Sequence, residues 1–220
     1  AVSTGADNTL VGNAAGDAVT TGTDNTFIGD NAGGATTTAS YNTAVGSGAL
    51  LVNSTGAQNT VIGSSAGTSI TTGNYNVAMG VDTLSTVSTG SNNTALGKGA
   101  LAANTGDSNT AVGYLALDVN STASNNVAVG YAALGANTTG TGNVAVGYNA
   151  LVVSVDVNAN TAVGQSSLEA NTGGGNTAVG YAALTANTTA ANNVAVGVSA
   201  LAANTTGTNN VAVGANALDA

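Results

Sequence analysis

Cysteine, histidine, proline and tryptophan are all missing from this 220-residue sequence, and each absence narrows what the chain can do. Without cysteine there is no disulfide framework, thiolate nucleophile or zinc-finger spacing. Without histidine the commonest general base and metal ligand is gone. The abundant Ser and Thr hydroxyls then have no imidazole to activate them. Positive charge is almost absent too. Lys98 is the only basic side chain against ten acids, for a net charge of −9. Nucleic acid is therefore not an expected partner, because binding phosphates takes clustered Lys and Arg. Anionic membrane surfaces are disfavoured for the same reason. No run of about 18 apolar residues marks a membrane-spanning helix, so the chain is not expected to be membrane-embedded. Charged residues are only 5% of the chain, yet 43% is apolar. Disordered chains combine low hydrophobicity with high charge, so these apolar residues call for an ordered arrangement.

What is present is a repeat. The pattern Asn-x-x-x-Gly recurs in phase from Asn8, Asn25, Asn42, Asn59, Asn76, Asn93, Asn109, Asn126, Asn143, Asn160, Asn176, Asn193 and Asn210. Ten of the twelve spacings are 17 residues and two are 16. Both short units lose one residue from the Asn-Thr-Thr-Gly stretch, at Asn104-Thr105-Gly106 and Asn171-Thr172-Gly173. Length variation is tolerated in loops, so that stretch is read as a loop. No linker or shift of composition interrupts the array, which predicts one repeat domain over residues 1–220.

With each Asn as position 1, position 2 is Thr or Val, position 4 is large and apolar, and position 5 is Gly. Position 3 is Ala in ten units and Leu10, Phe27 or Val61 in the others. Position 8 is mostly Ala, and position 9 is Leu except at Gly16, Gly33 and Gly67. Two helices with their turns need about 33 residues or more per repeat, so 17 is too short for a helical array. β-Branched residues at positions 2 and 4 favour a strand. The fold class expected is therefore all-β, a parallel β-solenoid (β-roll) of thirteen coils of about 17 residues. A second short strand is expected at positions 8 to 11. The position-1 Asn is expected to form a side-chain amide ladder, and the position-5 Gly to supply a positive φ or a close approach. Position 4 is expected to form the apolar spine of the core. Position 3, pointing the other way, then needs a second covering layer, most simply another copy of the chain.

Units such as Asn126-Val-Ala-Val-Gly-Tyr-Ala-Ala-Leu134 and Asn176-Thr-Ala-Val-Gly-Tyr-Ala-Ala-Leu184 resemble the head repeats of trimeric autotransporter adhesins and the repeats of tail-fibre-like proteins. The resemblance covers essentially the whole chain. It implies a left-handed roll, a homotrimer or a filament, and an extracellular place on a cell surface or virion fibre. The function it implies is a structural shaft or head segment, non-enzymatic, with a cell-surface or glycan receptor as a further partner.

Several residues are candidates for more than structure. Tyr114, Tyr131 and Tyr148 share position 6 of consecutive units, and an exposed aromatic row is a ligand strip for sugars. Position 13 is Thr or Ser in eleven of its twelve occurrences, an array that could order ice or bind another surface. Asp7 and Asp24 share a column and could hold Ca²⁺ between them, although solvated acids are the expectation there, and no cofactor is expected. Asp17, Asp118, Glu169 and Asp219 share position 10, never in adjacent coils, which avoids stacked repulsion. Residues 152–157, Val-Val-Ser-Val-Asp-Val, replace the usual loop with alternating apolar residues and read as an extra edge strand or an interchain contact.

Overall fold

The structure is a computed structural model that describes residues 4–86 and 89–219. It is an all-β parallel solenoid, and among the described residues it has no helix. The chain divides into two compact units, Ala1–Asn109 and Thr110–Ala220. In the first, β1 to β6 are Thr9–Val11, Thr26–Ile28, Thr43–Val45, Thr60–Ile62, Val77–Met79 and Thr94–Leu96. In the second, β7 to β13 are Thr110–Val112, Val127–Val129, Val144–Val146, Thr161–Val163, Thr177–Val179, Val194–Val196 and Val211–Val213. Within each unit every strand pairs in parallel with its sequence neighbours, and like positions face like. Thr26 lies opposite Thr43, for example, and Ala128 opposite Ala145. Each position of the repeat thus becomes a column along its unit.

Only one strand of three residues forms per coil; no second strand forms at positions 8 to 11. The backbone explains why. Positions 7 and 9 are left-handed in coil after coil, as at Ala132 (φ 49°) and Leu134 (φ 53°). A left-handed residue at every second place turns the chain and prevents an extended run. The turns still bond from coil to coil, as in Leu134 N–H to Ala150 carbonyl (2.9 Å) and Ala136 N–H to Val152 carbonyl (3.1 Å). Position 5 satisfies both demands expected of its glycine. Gly130 has φ 137°, and a Cβ there would run into the Gly147 carbonyl of the next coil. Residues 152–157 follow the ordinary coil path as turn and bend; they do not make an edge strand.

The two faces of the strand are the reverse of the expectation. Position 3 is the core: Phe27, Ala44, Val61 and Ala78 in the first unit, and Ala111, Ala128 and Ala145 in the second, are all fully buried. Position 4 is the outer face, where Val11 is 55% and Leu96 45% exposed. The position-4 spine is therefore a surface column. A coil closed in about 17 residues has room for few large side chains, and position 9 supplies one in most coils. Leu50, Leu84, Leu101, Leu117, Leu134, Leu151, Leu168 and Leu184 are buried there. A left-handed Leu costs about 1–2 kcal/mol, while burying its side chain returns about 1.5–3 kcal/mol, so burial carries the balance.

The three exceptions prove informative. Where position 9 is Gly, position 3 is large: Leu10 with Gly16, Phe27 with Gly33, Val61 with Gly67. A Cβ on Gly33 would come within 2.5 Å of the Phe27 ring, and one on Gly67 within 3.1 Å of Val61. Positions 3 and 9 thus share one space, and beside Gly67 the buried Ile70 of position 12 enters it too, at 2.9 Å from such a Cβ. This exchange yields a prediction. Phe27→Ala should destabilise the fold by about 3–5 kcal/mol through the cavity it leaves. Adding Gly33→Leu recreates the Ala44–Leu50 core of the next coil and should recover more than half of the loss. Thermal and urea unfolding of the two variants against the parent measures both effects.

Candidate functional site

The position-1 asparagines are buried and form a continuous hydrogen-bond column within each unit. In the second unit Asn143 donates its backbone N–H to Asn126 Oδ1 (2.9 Å), and Asn160 does the same to Asn143 Oδ1 (3.0 Å). In the first unit Asn25 bonds Asn8 in this way (3.0 Å), Asn42 bonds Asn25, Asn59 bonds Asn42, and Asn76 bonds Asn59. In most coils the Asn amide also reaches across its own coil to the carbonyl of position 15, as Asn126 Nδ2 does to Gly140 (2.9 Å); Asn160 Nδ2 donates to Asn143 Oδ1 instead (3.4 Å). Every part of the side chain is used on the protein, and none is left for a ligand.

A second asparagine column, hidden in what reads as a loop, stands at position 12. Asn53, Asn104, Asn120, Asn137, Asn171 and Asn187 are fully buried. Asn137 Nδ2 donates to Asn120 Oδ1 (3.0 Å), and Asn187 Nδ2 to Asn171 Oδ1 (2.7 Å). The same amide donates to the position-15 carbonyl that position 1 uses: Asn42 and Asn53 both reach Gly56, and Asn126 and Asn137 both reach Gly140. Two amides on one carbonyl close the coil. The signal in the sequence was the recurrence of Asn at the repeat period, masked by the turn-forming residues around it. Asn53, Asn120, Asn137 and Asn187 head Asn-x-Thr strings, and their burial withholds them from modification once the coil is closed. Where position 12 is Ser154, its hydroxyl donates to the Asn171 carbonyl instead (2.7 Å).

The sequence candidates fall on the outer surface. Tyr114, Tyr131 and Tyr148 form a row in the second unit, with ring centroids 5.3 and 5.1 Å apart and planes within 21° and 15° of parallel. Their inner faces lie on one another, so the row presents ring edges and hydroxyls outward, with each ring about half exposed. Tyr181 is exposed two coils beyond Tyr148. Asp7 and Asp24 are both exposed, and both hold the left-handed backbone of position 17 (φ 55° and 57°). Their column continues as Tyr41 and Gln58 rather than with a third carboxylate. No cluster of three or more metal-type side chains exists among the described residues. The position-13 hydroxyls are engaged by the protein. Thr20 Oγ1 donates to the Thr37 carbonyl (3.1 Å), Ser54 Oγ to Thr71 (3.0 Å) and Thr188 Oγ1 to Thr205 (3.0 Å). The exposed rank is position 14, with Thr21, Thr38, Thr55 and Thr72.

Two carboxylates have distinct surroundings. Asp156 accepts from the hydroxyls of Thr138 (2.6 Å) and Thr139 (2.8 Å), and these bonds hold its carboxyl below the ordinary value. Asp118 lies half-buried beside a shallow depression of about 310 Å³ lined by Leu115, Val119 and Val152, and burial pushes its carboxyl above the ordinary value. The linkage signs are opposite. The Asp156 contribution is present above its unfolded pKa and is lost as pH falls through the lower folded value. Asp118 opposes folding when ionised, and that penalty is relieved as pH falls through its raised folded value.

Two measurements follow. Asn143→Ala leaves the Asn160 N–H and the Val157 carbonyl buried without their side-chain partner and should cost about 2–6 kcal/mol, at roughly 1–3 kcal/mol per unsatisfied group; denaturant unfolding reads the loss. A carbon-detected NMR titration should place the Asp156 midpoint below 3.8 and the Asp118 midpoint above it. Thr138→Ala should move Asp156 upward and leave Asp118 in place.

The geometry stands alone in this, for no family model, curated protein or solved structure matches the chain.

Proposed function

We propose that this chain is a structural shaft or head segment of an extracellular fibre or adhesin, non-enzymatic, and that it works as a self-assembled homo-oligomer, with a trimer the favoured state. The observation that carries this reading is the outer face of the sheet. In the first unit the position-4 column runs Val11, Ile28, Val45, Ile62, Met79, Leu96, and in the second it is Val at every coil. Of these, Val11, Ile28, Met79, Leu96, Val163, Val179, Val196 and Val213 are exposed, and the rest are half-buried. A parallel sheet ordinarily buries both faces. A continuous apolar column on the outer one is the mark of a surface meant to be covered. Identical chains with closed symmetry are the simplest cover. The partner-facing column is position 4 rather than position 3, so the covered surface is made of larger side chains than the sequence alone led one to expect. The ladders beneath it support a mechanical role, because within each unit coils are bonded to their neighbours by backbone and by buried amides.

A second reading is a binding module for glycans or another surface, favoured by the exposed Tyr114–Tyr131–Tyr148 row. A glycan array run with the parent and with Tyr131→Ala separates it from the first: binding lost in the variant selects the module.

Mass measurement in solution tests the leading reading. The parent should run at three chain masses. A pair of substitutions on the outer column, Val129→Asp with Val146→Asp, should release folded single chains. A parent that is monomeric at every concentration overturns the assembly.

A further inference from the structure

Asp118 is out of place chemically. The chain has nine other acids, and all of them except Glu169 are exposed. Asp118 is half-buried, and among the described residues its carboxylate has neither a hydrogen bond nor an ion pair. Its surroundings are apolar. Leu115 is the one large side chain at position 7, a place otherwise held by Ala, Asn, Gly, Ser or Asp. Val119 and Val152 flank it, and Gly135, at position 10 of the coil between Asp118 and Val152, leaves the floor open between them. The result is an apolar depression of about 310 Å³ with one carboxylate at its edge.

A group that fits this shape has an aliphatic stem and a single positive tip. The stem lies on apolar walls while the tip meets the carboxylate, as lysine side chains do on protein surfaces. The sequence holds one such group. Lys98 is the only cation in the chain, and it is exposed with no ion pair or hydrogen bond among the described residues. With a net charge of −9, two copies repel each other, and a contact between them gains most where the single cation meets a carboxylate with no partner of its own.

We propose that the Leu115–Asp118–Val152 depression is a docking socket for Lys98 of a second copy of this chain. The socket is a point of specificity: it sets which surfaces of two copies meet, while the apolar outer column of the sheet supplies the bulk of the association. The inference rests on the self-association reading above.

Sedimentation equilibrium of the parent and four variants tests it. Lys98→Ala and Asp118→Asn should each weaken association about tenfold, between the scale of an exposed ion pair and that of a fully desolvated one. Asp118→Lys alone should weaken it further, because it sets Lys98 against a second ammonium. The exchanged pair, Lys98→Asp with Asp118→Lys in one chain, should return the association to within about threefold of the parent, since the same contact is remade with its charges reversed. Both side chains reach the surface, so each variant should keep the parent's circular dichroism. If the parent associates and Lys98→Ala leaves it unchanged, the socket is overturned while the assembly stands. If Asp118→Asn weakens association and Lys98→Ala does not, the acid serves some other cation, and the proposal is likewise overturned. A parent that never associates overturns the assembly itself.

Discussion

Side-chain amides meeting backbone carbonyls close the turns of this chain. The carbonyl of position 15 would otherwise be an orphan inside a narrow core, where an unmet acceptor costs about 1–3 kcal/mol. Asn at position 1 reaches it in most coils, and where position 12 is also Asn a second amide joins it, as at Gly56 and Gly140; beside Val19, Thr36, Ile70 and Ser154 the position-1 amide acts alone. The position-1 side chains then present their oxygens to the next turn, whereas among the described residues the position-12 oxygens of Asn53 and Asn137 are buried without a partner. Closure within a coil and cohesion between coils are therefore done by the same atoms. The strand of three residues is short because this closure leaves little else to do.

That arrangement governs what the interior can hold. With amides at its margins and a small residue at position 8, a coil has little space for bulky side chains. The Leu of position 9 takes it in most coils, and Leu10, Phe27 or Val61 takes it where position 9 is Gly. The remaining large residues, at positions 4 and 6, have no place inside. They face outward, and the apolar surface they make is what draws the functional reading toward assembly.

The repeat, its period, the strand and the close approach at Gly in position 5 were legible in the sequence, because each follows from recurrence or from a residue with one physical use. The sidedness of the strand was not. A column of Ala reads as a tolerant surface and a column of Val and Ile as a core, unless the width of the coil is known. The clue was present in the pairing of Phe27 with Gly33 and of Val61 with Gly67, a correlation between positions that only facing side chains explain. The second Asn column was obscured by Thr and Gly, which mark a loop so strongly that the amide within it reads as one more turn residue. The row of Tyr114, Tyr131 and Tyr148 was legible from spacing alone. The depression at Asp118 was not, since it depends on the missing side chain of Gly135 as much as on the residues present.

The ladders contain no ionisable group. Backbone amides, asparagine amides and a few hydroxyls hold coil to coil, and none of them titrates between acid and mild alkali or is screened by salt as an ion pair is. The carboxylates join this framework only at single places, where Asp30 accepts from Asn13, Asp107 from the Ser91 N–H and Asp156 from Thr138 and Thr139. Acidification or brine would therefore alter the charge the molecule shows to its surroundings and loosen those few outer ties, while leaving the amide joinery within each unit in place.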